Sequence, residues 1–440
     1  MAPGSAGLPS IVTFGIAGES HVAERGMHIG FDVSQTGANK AGCGYFAHAM
    51  IEALLTIAPQ HEYSLYPSFG DFYFDASMPR ANPYPGSRSR YGPHHRTLEE
   101  ARSFWTSPRL ESALGQPDLV HANNFWCPAA LATTRLVYTV YDLAFVAEPS
   151  WTTEVNRRGC WEGVSRAAAN ADWIVAISKA SRTHFLETFP AFPAERVRVI
   201  HPCSRFVDDA VEGARPASLA GIDPGGYWLS VGTIEPRKNQ RRVVEAYARY
   251  LARGGERIPL VLAGGSGWLM EGFRGEVERL GLGAQVILTG YVSDAELAWL
   301  YRHCRANVYF SLFEGFGLPV LEGMQFGAPT IASDSTSIPE VAGEAALLLK
   351  PDDTEGLANA LLVLAGDANE RSRLSRAARA QAARFDWRAS AAALAALYEE
   401  AASIPKREPT HALDPDPTDR RLMTYGRKLY ERALRSLRRP

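Results

Sequence analysis

Phe310-Ser-Leu-Phe-Glu314-Gly-Phe-Gly-Leu-Pro319-Val-Leu-Glu322-Gly-Met-Gln-Phe-Gly-Ala-Pro-Thr330 is the stretch that decides how this chain is read. The apolar run ending at Leu312 is short and aromatic, as a buried strand is. Gly315 and Gly317 then form a turn where main chain can approach a ligand closely. Pro319 suits the first turn of a helix, because its missing N–H costs nothing there. Strand end, glycine turn and helix start together aim free N–H groups and a positive dipole end at one point, which suits an anion. Glu314 falls on the turn and Glu322 on the helix, with seven residues between them.

Outward from that segment, the same strand–turn–helix pattern recurs along the chain. Met27–Val33 reads as a first strand, followed by a glycine-rich loop containing Gly42 and Gly44 and a helix to about Ile57. This is the opening of a nucleotide-binding α/β unit. The strict Gly-x-Gly-x-x-Gly fingerprint is absent, which disfavours a NAD-dependent dehydrogenase. Further strands are expected at 63–68, 118–124, 135–143, 172–178 and 196–202. Such alternation predicts a parallel sheet with helices on both faces. The pattern restarts at Tyr227–Gly232 and continues with strands near 258–264, 285–292, 306–312, 329–334 and 345–349. Ser293-Asp-Ala-Glu296 reads as a helix capping box. In the loop Glu235-Pro-Arg237-Lys238-Asn239, two adjacent cations suit a diphosphate, the Arg as a bidentate fork and the Lys as a point charge. The segmentation expected is a disordered leader at 1–26, a first domain at 27–205, a linker at 206–226, a second domain at 227–385, a crossing helix at 386–402 and a tail at 403–440.

Composition narrows the field. The chain has 440 residues, enough for two or three domains with cores of their own. A net charge of −2 gives no general argument for nucleic acid. Five scattered cysteines without a Cys-x-x-Cys pair argue against a disulfide framework or structural zinc and for a reducing cytosol. No apolar run reaches the ~18 residues of a membrane span.

The Glu-x7-Glu spacing with Gly-Phe-Gly-Leu-Pro inside it resembles the retaining GT-B glycosyltransferases of group 1, or family 4 type, which use nucleotide sugars. The resemblance spans about 27–402 and is strongest at 228–352. It implies an α/β fold of two Rossmann-like domains facing a central cleft, with a C-terminal helix crossing back. It implies Glu314 beside the donor sugar, as the catalytic residue, and Glu322 on the ribose. Arg237, Lys238 and the amides of Gly315, Phe316, Gly317 and Leu318 would hold sugar and phosphate. Gly42 and Gly44 would lie under the pyrophosphate, Tyr141 and Gly232 would line the donor site, and backbone near Val292 would meet the base. No metal and no cofactor are expected. Two departures stand out: Tyr141-Asp142-Leu143 replaces the common His-Asp-Leu, and Thr233 replaces an arginine frequent after the glycine. The implied activity is retaining transfer of a hexose, with mannose from GDP-mannose as first choice, to a glycan or polyprenyl-linked acceptor in cell-surface polysaccharide synthesis. The rival readings are a catalytically inactive nucleotide-sugar-binding partner subunit and a nucleotide-sugar epimerase of the same fold.

Two outlying segments complete the reading. Residues 70–96, with four prolines and four arginines, are expected to form a long irregular loop. Such a loop is either a solvated insertion or a seat for a phosphorylated lipid carrier. Arg420–Arg439 carries eight Lys/Arg against Glu431 alone, a net +7, with apolar residues at helical spacing. A basic amphipathic helix of this kind lies on an anionic membrane surface or packs on its own protein. The location expected is cytoplasmic, with peripheral contact at the inner face of the plasma membrane.

Overall fold

The computed structural model describes residues 26–37, 40, 42–70, 84, 88–129, 131–206, 213–265, 267 and 271–410. The leader other than Gly26, most of the 70–87 stretch and the basic segment at 420–439 lie outside the described residues.

Thirteen strands fall into two sheets among the described residues. β1 (His28–Asp32), β2 (Glu62–Tyr66), β3 (Ser89–Tyr91), β4 (Leu119–Ala122), β5 (Arg135–Val140), β6 (Trp173–Ala176) and β7 (Val197–Val199) build the first. Its order is β3-β2-β1-β4-β5-β6-β7. β8 (Trp228–Val231), β9 (Leu260–Ala263), β10 (Val286–Gly290), β11 (Ala306–Tyr309), β12 (Thr330–Ser333) and β13 (Ala346–Leu349) build the second. Its order is β10-β9-β8-β11-β12-β13. Every ladder is parallel. Strands such as β4, β6, β9, β11 and β12 are buried along their whole length, as parallel strands covered by helices on both faces must be. In each sheet the strand order reverses beside the first strand, at β1/β4 and at β8/β11. Open α/β sheets hold ligands outside the strand ends at these switch points.

β3 corrects the expectation for 70–96. Ser89, Arg90 and Tyr91 pair in register with Tyr63, Ser64 and Leu65, so this stretch contributes the edge strand of the first sheet. Two of its arginines serve that edge: Arg88 Nη1 donates to the Gln60 carbonyl at 2.7 Å and Arg90 Nε to Ser64 Oγ at 3.0 Å. Three residues among prolines and glycines show too little pattern to be read as a strand.

The domains share a core. Phe31, Phe46, Met50 and Leu54 pack in one apolar cluster with Tyr309, Val320, Leu321 and Ile338 of the second domain, and with Leu394, Leu397 and Tyr398. The last three lie on helix Trp387–Ser403, which crosses back onto helix Gly42–Ile57 of the first domain. Burying each such side chain stabilises by about 1.5–3 kcal/mol. The crossing helix is keyed in register by His121, whose Nδ1 lies 2.5 Å from Tyr398 Oη and whose Nε2 lies 2.8 Å from Thr139 Oγ1. Burial pulls the His121 pKa down to about 3, so the ring is a neutral structural element.

Residues 404–410, at the start of the expected tail, lie against the first domain. Arg196 Nη2 donates to the Pro405 carbonyl at 3.0 Å, and Thr410 N donates to the Ala169 carbonyl at 3.0 Å. Buried Asp172 binds Lys406 Nζ at 2.9 Å and the Arg407 amide at 2.7 Å. The segment 404–410 is a strap on the first domain, held by a paired carboxylate that the apolar count of the sequence does not reveal.

Candidate functional site

The glycine turn is shaped from behind by a row of hydroxyls. Ser333 Oγ donates to the Ser311 carbonyl at 2.6 Å, and Ser335 Oγ donates to the Leu312 carbonyl at 2.6 Å. Ser337 Oγ takes the carbonyls of Glu314 at 3.1 Å and Phe316 at 2.9 Å. With its carbonyls held on one side, the turn keeps its N–H groups for the other. Among the described residues, the amides of Gly315, Phe316, Gly317 and Leu318 have no acceptor. Gly317 sits at φ +103° as the cap of helix Leu318–Gln325, a conformation few side chains tolerate. Asn307 Nδ2 donates to the Pro319 carbonyl at 2.9 Å and fixes the first turn of that helix. The result is an electropositive helix start with free donors, a place for phosphate oxygens.

Glu314 stands at the head of the turn, buried, in a dense cluster of donors. Lys238 Nζ reaches its Oε1 at 2.7 Å, Tyr309 Oη at 2.9 Å and Ser311 Oγ at 2.5 Å. Arg237 Nη1 meets Oε2 at 3.0 Å, while Arg237 Nη2 meets Glu235 Oε1 at 2.9 Å. Burial alone would raise the Glu314 carboxyl, but Arg237 and Lys238 override it and draw the pKa down to about 2. Burial and the neighbouring Arg237 push the Lys238 pKa down, against the pull of Glu314. Two buried cations are thus matched by two carboxylates. The loop that delivers them is stapled: Asn239, left-handed at φ +60°, donates from Nδ2 to the carbonyls of Phe310 at 3.0 Å and Pro351 at 2.9 Å. Gly232, at φ +147°, leaves room beside the Lys238 stem.

The first domain faces this turn at contact distance. A Cβ on Gly315 would lie 2.3 Å from the Tyr141 carbonyl oxygen, so only glycine lets the two domains meet there. Ser181 Oγ bridges the same seam, donating within reach of the Tyr141 carbonyl at 2.7 Å and the Gly315 carbonyl at 3.2 Å. Gly42 faces Leu318, its virtual Cβ 3.9 Å from Leu318 Cδ1. Glu340 closes the flank, accepting from the Lys179 amide at 2.9 Å and lying 2.7 Å from His201 Nε2.

Other expected residues have side chains or backbone packed against neighbouring elements. The Tyr141 hydroxyl donates to the Asn123 carbonyl at 2.8 Å and lies 3.3 Å from the Cys43 carbonyl, so it serves the first domain's interior. Burial raises its pKa far above the ordinary tyrosine value. The Phe316 ring packs between His201 and Phe385, leaving only its backbone to the turn. Gly44 is required by the close approach of the Gln35 carbonyl, 2.0 Å from its virtual Cβ. Val292 is half-buried against the cluster that holds Leu297, next to the capping box of helix Asp294–His303.

Glu322 is fully buried and both its oxygens are engaged. Arg205 Nε meets Oε1 at 2.7 Å and Tyr301 Oη meets Oε2 at 3.2 Å. Burial raises the Glu322 pKa, against the opposing effects of Arg205 and Tyr301. Arg205 Nη1 also reaches Asp294 Oδ1 at 3.2 Å, and its guanidinium lies 4.0 Å from the Tyr45 ring centre. Tyr45 Oη completes the chain to Asp294 at 3.1 Å. Arg205 and Tyr45 carry no motif that would single them out; a lone arginine in Cys-Ser-Arg-Phe gives no signal.

Two parallel α/β domains meeting over an anion-ready turn, with carboxylates and cations set around it, have the architecture of a GT-B glycosyltransferase. The model for glycosyl transferases group 1 matches 221–381, and that for glycosyltransferase family 4 matches 57–203. The O-antigen chain mannosyltransferase B of Escherichia coli is 32% identical over 299 residues, which cover 67% of this chain and 76% of that protein. The serotype-specific mannosyltransferase WbdA of Escherichia coli is 38% identical over 288 residues, but these span only 35% of its length. Among solved structures, Anabaena Alr3699/HepE in complex with UDP and glucose superposes with a TM-score of 0.63 at 19% identity, covering 85% of this chain and 100% of that one. WaaG, a glycosyltransferase involved in lipopolysaccharide biosynthesis, follows with 0.58 at 17% identity, over 85% of this chain and 98% of its own. The chain belongs to the group 1 glycosyltransferases.

Proposed function

We propose that the protein moves a hexose with retention of configuration, and without a metal, from a nucleoside diphosphate sugar to a glycan or polyprenyl-linked acceptor. The preferred donor is GDP-mannose, a choice supported by the likeness to the O-antigen mannosyltransferase. The observation that carries the reading is the meeting of Glu314, Arg237 and Lys238 with the four free amides of Gly315–Leu318. The diphosphate would take the amides and draw the two cations partly from Glu314 as negative charge builds on the leaving group. Glu314, charged at neutral pH, would then face the positive charge that develops on the sugar. The leaving phosphate would accept the acceptor's proton. Glu322 would hold the ribose, and the acceptor would enter along the first domain past Gly42.

The test is transfer from GDP-mannose, UDP-glucose and dTDP-sugars to a lipid-linked glycan, with and without EDTA. The product's anomeric configuration is read by NMR. Glu314→Ala should abolish transfer; near-normal turnover in that variant would refute the role. The segment 420–439 would place the protein at the cytoplasmic face of the membrane. Vesicle binding should fall when the chain is cut after Thr410, a point chosen to leave the 404–410 strap intact. Equal binding by both chains sinks the membrane idea.

A further inference from the structure

The buried state of Glu322 raises a question that the ribose role leaves open: its carboxylate has no room for a ligand while Arg205 is on it. The Arg205 Nε–H and a ribose hydroxyl are both donors, and both would approach the same oxygen. We propose that Arg205 is an exchangeable stand-in for the ribose, a latch that occupies Glu322 in the free enzyme and yields it to a nucleoside diphosphate. The proposal rests on the assignment of Glu322 to the ribose.

The geometry favours exchange over a permanent pair because Arg205 has a second home. Its Nη1 is already 3.2 Å from Asp294 Oδ1, and its plane lies over the Tyr45 ring at 4.0 Å. Swinging Nε off Glu322 therefore leaves the guanidinium paired with Asp294 and stacked. Glu322 in turn keeps Tyr301 Oη and gains two hydroxyls in place of one N–H. Each charged group keeps a hydrogen-bond partner at both ends of the exchange, which lowers the cost of breaking a buried ion pair. Tyr45 is on helix Gly42–Ile57 of the first domain, whereas Asp294 and Glu322 belong to the second. The latch thus links the two domains directly beside Glu322.

The consequence has a definite sign. A ligand that must displace an ion pair binds less tightly than one that need not, so removing Arg205 should strengthen binding. GDP and UDP are titrated by calorimetry into wild type, Arg205→Gln and Arg205→Lys under identical buffer conditions. Arg205→Gln should bind about ten-fold or more tightly, in line with the strength of a charge-assisted hydrogen bond. Arg205→Lys should fall between. The gain should vanish with the 2′,3′-dideoxy nucleotides, which lack the displacing hydroxyls. Thermal unfolding checks that each variant is folded, and a gain of affinity is not an outcome that misfolding produces. Weaker or unchanged binding of GDP and UDP by Arg205→Gln overturns the latch, as does an equal gain with the dideoxy nucleotides. If wild type binds neither GDP nor UDP, the nucleotide-sugar reading itself has failed; if wild type binds and Arg205→Gln does not bind more tightly, the latch alone has failed.

Discussion

Replacing Glu314 by glutamine keeps the shape of the site and removes one negative charge from among two buried cations. The depression of the Glu314 pKa from the ordinary 4.5 to about 2 measures how much better the fold holds the carboxylate than the neutral acid. At 1.36 kcal/mol per pH unit this is about 3 kcal/mol at neutral pH. Because the folded pKa is depressed, the contribution is complete above pH 4.5 and is lost as pH falls toward 2. Glu314→Gln should therefore destabilise the second domain by about 3 kcal/mol at pH 7. The gap to wild type should shrink to less than half of that near pH 3, with urea unfolding followed at both pH values. Active-site carboxylates sometimes weaken a fold, and this site's four donors to one carboxylate argue the opposite here. A variant as stable as wild type at pH 7, or a gap that does not narrow with acid, would refute the reasoning.

Three other outcomes are expected. Gly315→Ala puts a methyl group 2.3 Å from the Tyr141 carbonyl, so the domains must part; transfer should fall at least a hundredfold while the unfolding midpoint of each domain changes little. Tyr398→Phe leaves His121 Nδ1 buried without its partner and should cost about 1–3 kcal/mol of stability without changing the donor KM. Cutting the chain after Ser403 strips Lys406 and the Arg407 amide from buried Asp172. That loss should cost about 3–5 kcal/mol, seen as a drop in the first domain's urea midpoint that a cut after Thr410 does not produce.

Much of this was readable in the chain because periodicity and turn chemistry are local. The fully buried strands announce themselves as short apolar runs, and the Ser293–Glu296 capping box forms as its spacing requires, with both reciprocal hydrogen bonds present. Glu314, Arg237 and Lys238 come together because each sits on a strand-to-helix loop at the same end of one sheet. What was not readable depends on distance along the chain. Ser333, Ser335 and Ser337 look like ordinary loop residues until their hydroxyls are seen to hold the turn's carbonyls. Arg205 gains meaning only from Glu322, 117 positions away. Tyr141, by contrast, looked polar enough to face a ligand, and its hydroxyl proved to be engaged by main chain.

The crossing helix and its strap have a further implication for how the protein is made. The first domain is synthesised early, yet its helix Gly42–Ile57 and its buried His121 are completed by Leu394, Leu397 and Tyr398. During translation that face must wait for nearly the entire second domain to leave the ribosome, with apolar surface uncovered in the meantime. Domains of most chains fold as units in order of synthesis; here a helix that emerges after the second domain completes the first. A stalled or prematurely ended chain would therefore present a sticky half-domain, a natural target for chaperones and proteases.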